Sequence, residues 1–293
     1  MQRSALVRLA GRKIGVLLVG CGIIGLLVPP AQAADLKPET VAAFDRYIRA
    51  TEARMDEDLR EGRFLVVDRL PSEQRREVYA SLRQGQVFVE QMYSLEDGHA
   101  IRVPSGMIHD WTGVIFIPGA TIPQVLAVLR DYDNHKNIYK PDVRRSQLLE
   151  HSGNQFEVYL QLYRKTIVTV VVNVNCDVKY TQLDSTHSMS RSYSTRIAEV
   201  QNAGEPDERE LPVGRDHGYL WRLYSYWRME EKDGGVYLQN ESVALSRSVP
   251  WIFAWLVNPL IRSIPRAVLS GLLQDTRKAV LKENPLPADS SSP

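Results

Sequence analysis

Residues 156–168 read FEVYLQLYRKTIV, residues 169–183 TVVVNVNCDVKYTQL and residues 185–200 STHSMSRSYSTRIAEV. All three are rich in β-branched and aromatic residues and are separated by polar turns, which predicts consecutive long antiparallel strands. In the middle run Val168, Val170, Val172, Val174, Cys176 and Val178 share one face. Thr169, Asn173, Asn175, Asp177 and Lys179 share the other, with Val171 the exception, so one face is covered and the other is wet. A partner run follows: YLWRLYSYWRMEE (219–231) and VYLQNESVALSR (236–247), joined by Lys232-Asp233-Gly234-Gly235, the turn chemistry of a tight hairpin. A two-residue turn at Asp233-Gly234 sets Tyr226 opposite Glu241, Tyr224 opposite Val243, Trp227 opposite Asn240, Ser225 opposite Ser242 and Leu223 opposite Ala244. One face of this hairpin then carries Arg222, Tyr224, Tyr226, Arg228, Gln239 and Glu241. The other carries Trp221, Leu223, Trp227 and Met229, with Ser225, Ser242 and Ala244 between them. The apolar face is expected to point inward, and its small residues leave volume beside the tryptophans. An ordinary filled core is the alternative.

Outward from these strands, residues 38–61 carry Val41, Phe44, Ile48, Met55 and Leu59 at helical spacing, with Pro38 in the first turn and Gly62 past the end. A shorter helix is expected from Ser72 as N-cap to Gly85, turning Val78, Tyr79 and Leu82 inward. Strands are predicted over 86–93, 99–103 and 109–117, and a helix opens at Thr121-Ile122-Pro123, passes through Val125, Leu126, Leu129 and Tyr132, runs into Asp133-Asn134-His135-Lys136 and ends before Pro141. The segment 143–150 leads to the turn His151-Ser152-Gly153-Asn154, and 201–215 form an acidic loop. The last helix is expected from about Pro265 to Lys282, with Val268, Leu269, Leu272, Leu273, Thr276, Val280 and Leu281 on one side. Ahead of it, Trp251 to Ile261 is too apolar for a surface connection and is expected to be a short helical piece hinged by Pro250, Asn258, Pro259 and Pro265. Residues 284–293 read as a frayed tail. The fold class is α+β: a broad antiparallel sheet closed by a C-terminal helix.

The chain begins with Arg3, Arg8, Arg12 and Lys13, then an apolar run from Ile14 to Val28, then Pro29-Pro30-Ala31-Gln32-Ala33, the order of a secretory signal peptide with an A-x-A cleavage site. Gly20-Cys21-Gly22-Ile23-Ile24-Gly25 matches a dinucleotide-binding fingerprint in letters only, because two prolines stop the helix that must follow it. Leu18-Val19-Gly20-Cys21 resembles a lipobox, but the residues after Cys21 stay apolar. An uncleaved anchor is the third possibility, although about 15 apolar residues are short of the roughly 20 that span a bilayer. Export to the periplasm or cell envelope is the expectation. Removal of residues 1–33 takes away four positive and no negative charges, so the formal charge falls from +1 to −3. Nothing then resembles a basic patch for nucleic acid. Cys176 is left as the only cysteine, read as a small buried hydrophobe.

Asp131-Tyr132-Asp133-Asn134-His135 with Tyr139-Lys140-Pro141-Asp142-Val143 is similar to the segment between the first strand and the long strands of the START and polyketide-cyclase-like (SRPBCC, helix-grip) superfamily. Ser225-Tyr226-Trp227-Arg228 to Gly234-Gly235-Val236-Tyr237 and Glu241, followed by Ser246-Arg247-Ser248-Val249-Pro250, is similar to that family's last hairpin entering its closing helix. The resemblance covers residues 86–283 and leaves 34–85 as a helical extension. It implies a curved sheet wrapped around the last helix, with a cavity used by relatives for lipids, sterols, quinones or polyketides. The residues expected to line that cavity are Trp111, Leu160, Val172, Trp221, Leu223 and Trp227, with Trp251 and Trp255 as a lid or membrane-facing rim. Arg228 and Glu241 form either a polar clamp for a ligand or a surface cross-strand ion pair.

The standard enzyme signatures, G-x-S-x-G, H-E-x-x-H, C-x-x-C and the phosphate loop, are absent from the sequence. Asp131, Asp133 and His135 could gather a cation, although such a cluster at a helix end is usually a solvated turn. His109 and Asp110, adjacent in a strand, point to opposite faces and cannot readily pair. The expected function is binding, and possible transport, of a hydrophobic small molecule, with transient membrane contact and no cofactor or metal. A cyclase or dehydratase using the same cavity and a partner-binding domain with a filled core are the alternatives. The order of basic, apolar and A-x-A regions predicts a mature chain beginning at Ala34. N-terminal sequencing and intact mass of the exported protein check this, and a lipidated start at Cys21 or an intact Met1 would overturn it.

Overall fold

The computed structural model describes residues 34–165, 168–248 and 251–284, with the backbone alone over 251–264. The expected leader and all but the first residue of the expected tail lie outside the described residues. The strands are β1 (Ala34–Asp35), β2 (Phe88–Gln91), β3 (Leu95–Glu96), β4 (His99–Ala100), β5 (Gly106–Pro118), β6 (Val143–Ser152), β7 (Gln155–Lys165), β8 (Thr169–Gln182), β9 (His187–Gln201), β10 (Arg209–Glu210), β11 (Arg215–Asp216), β12 (Arg222–Lys232) and β13 (Gly235–Arg247). The helices are α1 (Pro38–Arg60), α2 (Ser72–Arg83), α3 (Ile122–Arg130), α4 (His135–Ile138) and α5 (Trp251–Glu283), with a 3-10 turn over Val66–Arg69.

One antiparallel sheet runs β2-β5-β13-β12-β9-β8-β7-β6, and β10 pairs with β9 beside it. β6–β7, β8–β9 and β12–β13 are joined by short polar turns, whereas β9 reaches its neighbour β12 through the long segment 202–221 that carries β10 and β11. The hairpin β12–β13 has the register its Asp233-Gly234 turn demands, with Trp227 opposite Asn240 and Tyr226 opposite Glu241. Both turn residues have positive φ, 56° and 73°. Along β8, Val172, Val174, Cys176 and Val178 are buried while Asp177 and Lys179 are exposed. This is the period-2 pattern of a half-covered sheet.

The inner face of the sheet packs on α3 and α5. Ile115, Ile117, Val174, Ile197, Met229 and Leu238 meet Leu129, Leu269, Leu273 and Val280 in one core. Gly113 lets α5 come close. A Cβ there would stand 2.9 Å from Leu273 Cδ1 and 3.1 Å from the Phe88 carbonyl oxygen, closer than packed atoms sit. The outer face is covered as well. α2 and the 3-10 turn place Val66, Val67 and Leu82 on Val114, Phe116 and Tyr237, and α1 places Phe44, Tyr47, Ile48 and Met55 on Trp221, Tyr226, Val243 and Leu245.

Three expectations are corrected. Arg228 and Glu241 are not a surface pair, since only 4% and 2% of their surfaces are exposed beneath α1. α5 is one helix from Trp251 to Glu283, with Pro259 and Pro265 inside it. Each proline removes a single intrahelical N–H bond, a local loss in a helix whose later turns are anchored by Leu269, Leu273 and Val280. Pro71 occupies the cap position of α2, and Ser72 is its first helical residue.

Gly113→Val should overpack the seam between β5 and α5, at a cost of about 1–3 kcal/mol. Thermal unfolding should show a Tm lower by several degrees with the far-ultraviolet circular dichroism unchanged. An unaltered Tm would mean that α5 does not press on this strand.

Candidate ligand-binding site

The register sets inner-face residues in rows across the strands. One row runs Phe156, Val178, Ser192, Ser225, Ser242 and Trp111 from β7 to β5. The next runs Tyr180, Ser190, Trp227, Asn240 and Gly113. The middle of each row is therefore built from small hydroxyl and amide side chains, and tryptophans or a glycine stand where bulk changes. β9 contributes Ser188, Ser190, Ser192 and Ser194 to this face, each opposite an apolar or aromatic residue of β8 or β12. Leu160, Leu223, Ser225, Trp227, Ser242 and Ala244 are only half-buried, although each lies on the face that packs on α5 further along.

The polar groups on this floor are partly tied to one another. Asn240 Nδ2 donates to Ser225 Oγ at 2.8 Å, and Ser242 Oγ donates to Asn240 Oδ1 at 2.8 Å. The buried Ser190 Oγ has no hydrogen-bond partner. His109, one row further on and opposite Ala244, has Nε2 2.9 Å from Ser246 Oγ. Burial lowers its pKa, so its imidazole is neutral at pH 7. At the other end the face is closed by rings: Tyr132 and Tyr180 share a hydroxyl contact of 2.9 Å, and Tyr139 reaches Thr276 of α5 at 3.1 Å. Burial pushes the Tyr180 phenol up to about 12 and the Cys176 thiol up to about 11, so both stay protonated.

The ionisable groups converge on the opposite side of the sheet. Arg228 Nη1 donates to the Phe64 carbonyl at 2.7 Å and Nη2 to the Met55 carbonyl at 3.0 Å, and burial lowers its pKa to about 10. Glu241 forms an ion pair with Arg54 of α1. Gln239 accepts from the Val66 amide at 2.7 Å, and Asp58 holds Arg69 and Arg63. Asp110, diagonal to Glu241 on the neighbouring strand, accepts from Tyr47 Oη at 2.9 Å and leaves Oδ1 without a partner. Its pKa is raised, first by burial and then by the Glu241 charge, so the pair favours one shared proton. These groups seal α1 to the sheet and have no access to the inner face.

Of the sequence-derived candidates, Trp111, Leu160, Val172, Leu223 and Trp227 lie on the inner face. Trp221 does not. It precedes β12, packs among Phe44, Tyr47 and Leu245, and donates from Nε1 to Asp216 at 3.0 Å. The alternation that put it beside Trp227 holds only within the strand. Trp251 and Trp255 begin α5, and their side chains lie outside the described residues. Asp133 accepts from the Leu148 amide at 3.0 Å, and His135 is buried between the rings of Tyr132 and Tyr139, with its pKa lowered to about 4. The sequence reading missed the serines of β9, although their spacing in SMSRSYS has period 2. A separate surface cavity of about 380 Å³ lies between α3 and the β8–β9 turn, lined by Ile122, Leu126, Arg130, Gln182 and Ser185 among others.

The fold is α+β. A first strand, short helices, a long antiparallel meander and a C-terminal helix laid across the sheet make up the helix-grip arrangement. No protein-family model matches the chain, and no curated protein matches it. Among solved structures, a STAR-related lipid transfer protein from Xanthomonas axonopodis is 18% identical over 66% of this chain and 98% of its own, with a TM-score of 0.43. Human STARD10 is 13% identical over 73% of this chain and 81% of its own, with a TM-score of 0.42. The Zhui aromatase/cyclase from Streptomyces sp. R1128 is 12% identical over 60% of this chain and 96% of its own, with a TM-score of 0.38.

Because the folded pKa of Asp110 lies above its ordinary value of 3.8, its contribution to stability is present at low pH and lost as pH rises through the folded pKa. Asp110→Asn supplies a permanent N–H toward Glu241 and removes that loss. Relative to the Asn chain, the wild type should lose up to about 1.4 kcal/mol per pH unit across that window. Tm measured as pH rises from about 4 should fall faster for the wild type. A parallel pair of curves would mean that Asp110 is ionised throughout.

Proposed function

We propose that the protein binds an apolar small molecule, a lipid, quinone or polyketide-like chain, against the inner face of the sheet. The observation that carries this is the serine row. Ser192, Ser225 and Ser242 are direct neighbours at the centre of a face where large apolar residues would complete a core, and Leu223, Trp227 and Ala244 around them are half-buried. A filled interior leaves no such residues short of contacts. Apolar walls with a few fixed hydroxyls describe a site for a mostly hydrocarbon ligand bearing a small polar group. Trp227, Leu223, Trp111, Leu160 and Val172 supply the walls in this reading, and Ser225 with Asn240 supplies the polar contact. The apolar run from Trp251 to Ile261 would form the mouth and the surface that meets a membrane during exchange. Tryptophan suits such a boundary between apolar and wet. No helix among the described residues is long and apolar enough to cross a membrane.

A second reading, a cyclase or dehydratase, has one observation in its favour. His109 is a neutral imidazole on the same face as Ala244, with Nε2 2.9 Å from Ser246 Oγ. A neutral imidazole has a free ring nitrogen that can accept a proton.

Ala244→Leu separates a cavity from a core, because Ala244 has no side-chain hydrogen bond to lose. If the space is a ligand site, the leucine fills it: affinity for a fluorescent apolar probe should fall at least about tenfold, which is about 1.4 kcal/mol, with Tm unchanged or higher. If the space is already filled, the extra methylenes cost about 1–3 kcal/mol and the wild type binds no probe. Trp227→Ala should weaken probe binding in the same assay.

A further inference from the structure

β1 and β11 form a two-residue antiparallel ladder in which Ala34 pairs with Asp216 and Asp35 with Arg215. Two residues on, the Leu36 amide donates to the Gly214 carbonyl at 2.8 Å. Hydrogen-bonded pairs alternate along an antiparallel ladder, so Ala34 is in the bonded phase and its nitrogen points at Asp216. Asp216 is only 2% exposed. Its Oδ1 accepts from the Gly218 amide at 2.8 Å and from Trp221 Nε1 at 3.0 Å, while Oδ2 is buried with no partner. The neighbouring buried carboxylate, Glu199, is already occupied. Oε2 accepts from the His217 amide and faces His217 Nδ1 at 2.8 Å, and Oε1 accepts from the Tyr219 amide at 2.8 Å. A buried carboxylate oxygen without a donor is costly, and a cation placed against it would remove that cost.

We propose that the α-ammonium of Ala34, created when the Ala33–Ala34 bond is hydrolysed, is the missing partner of Asp216 and locks the mature N-terminus onto β11. The inference rests on cleavage after Ala33 and is independent of the inner-face ligand. In the hydrolysis, catalysed by a peptidase of the export machinery, water adds across the peptide bond. Ala33 leaves with the new carboxylate, and Ala34 keeps the amine, which takes up a proton. One N–H retains the strand hydrogen bond to the Asp216 carbonyl, and the others turn to Oδ2. Before cleavage the same nitrogen has one proton and no charge, so only the processed chain satisfies the site. Burial and the Glu199 charge raise the pKa of Asp216 in the uncleaved chain, as expected for a carboxylate waiting for a cation. The Ala34 side chain sits at the edge of the cluster that holds Trp221, so the lock braces α1 and the outer face together.

The test compares the chain beginning at Ala34, the same chain with one glycine added before Ala34, and Asp216→Asn in each. The added residue moves the ammonium by about 3.5 Å and leaves every side chain in place. Ala34 α-amine acetylation near pH 7, read by mass spectrometry of the N-terminal peptide, should be at least about tenfold slower in the wild type than in Asp216→Asn, the change in free amine that one unit of pKa produces. Tm should fall with the added glycine only when Asp216 is present. If Asp216→Asn does not fold, the glycine-extended chain provides the faster-reacting reference. Equal acetylation rates overturn the proposal whatever the Tm values. A mature chain that begins elsewhere than Ala34 overturns it as well.

Discussion

The structure depends on Arg228 finding partners. Its guanidinium lies under α1, on the face of the sheet away from α5, and two backbone carbonyls from the extension accept its hydrogen bonds. A buried cation without such partners would cost several kcal/mol, whereas one held by carbonyls and a nearby Glu241–Arg54 pair is tolerated and fixes the angle at which the helix docks. With that clamp made, the outer face of β5, β12 and β13 needs no solvent. The three strands are then stiff from one side, which leaves the inner face free to carry serines instead of a full complement of leucines and valines.

Much of this was legible in the sequence. The face assignment of β8, the register of β12 with β13 and the start of α1 follow from local chemistry: alternation, a glycine turn, a proline start. The outer face was misjudged for a physical reason. Arg228, Gln239 and Glu241 alternate with apolar neighbours as residues do on a wetted face, and alternation reports polarity, not cover. What covers them is a helix whose matching charges, Arg54 and Asp58, lie far upstream, and nothing local to β12 announces them. Trp221 was misplaced because period 2 ends where the strand ends. α5 was divided because prolines argue for breaks unless neighbouring turns are anchored.

The two sides of the sheet also divide the chemistry. Charges gather where α1 excludes water, and their pKa shifts are those of a structural seam. Among the described residues, the centre of the inner face has serine hydroxyls, the Asn240 amide, His109 and indole rings, and no buried carboxylate. An arrangement of this kind favours shape and a few hydrogen bonds over charge as the means of selecting a ligand.

The Arg54–Glu241 contact joins residues 187 positions apart. α1 is made before β13, and its docking surface is complete only when β13 has been made. Closing so long a loop has a large entropy cost that nearby contacts cannot offset early, so the helix has to wait, amphipathic and unsatisfied, while the meander assembles. A chain with this order of events reaches its final form from the C-terminal end backwards. Any factor that holds this polypeptide while it is unfolded would find its most persistent handle in α1.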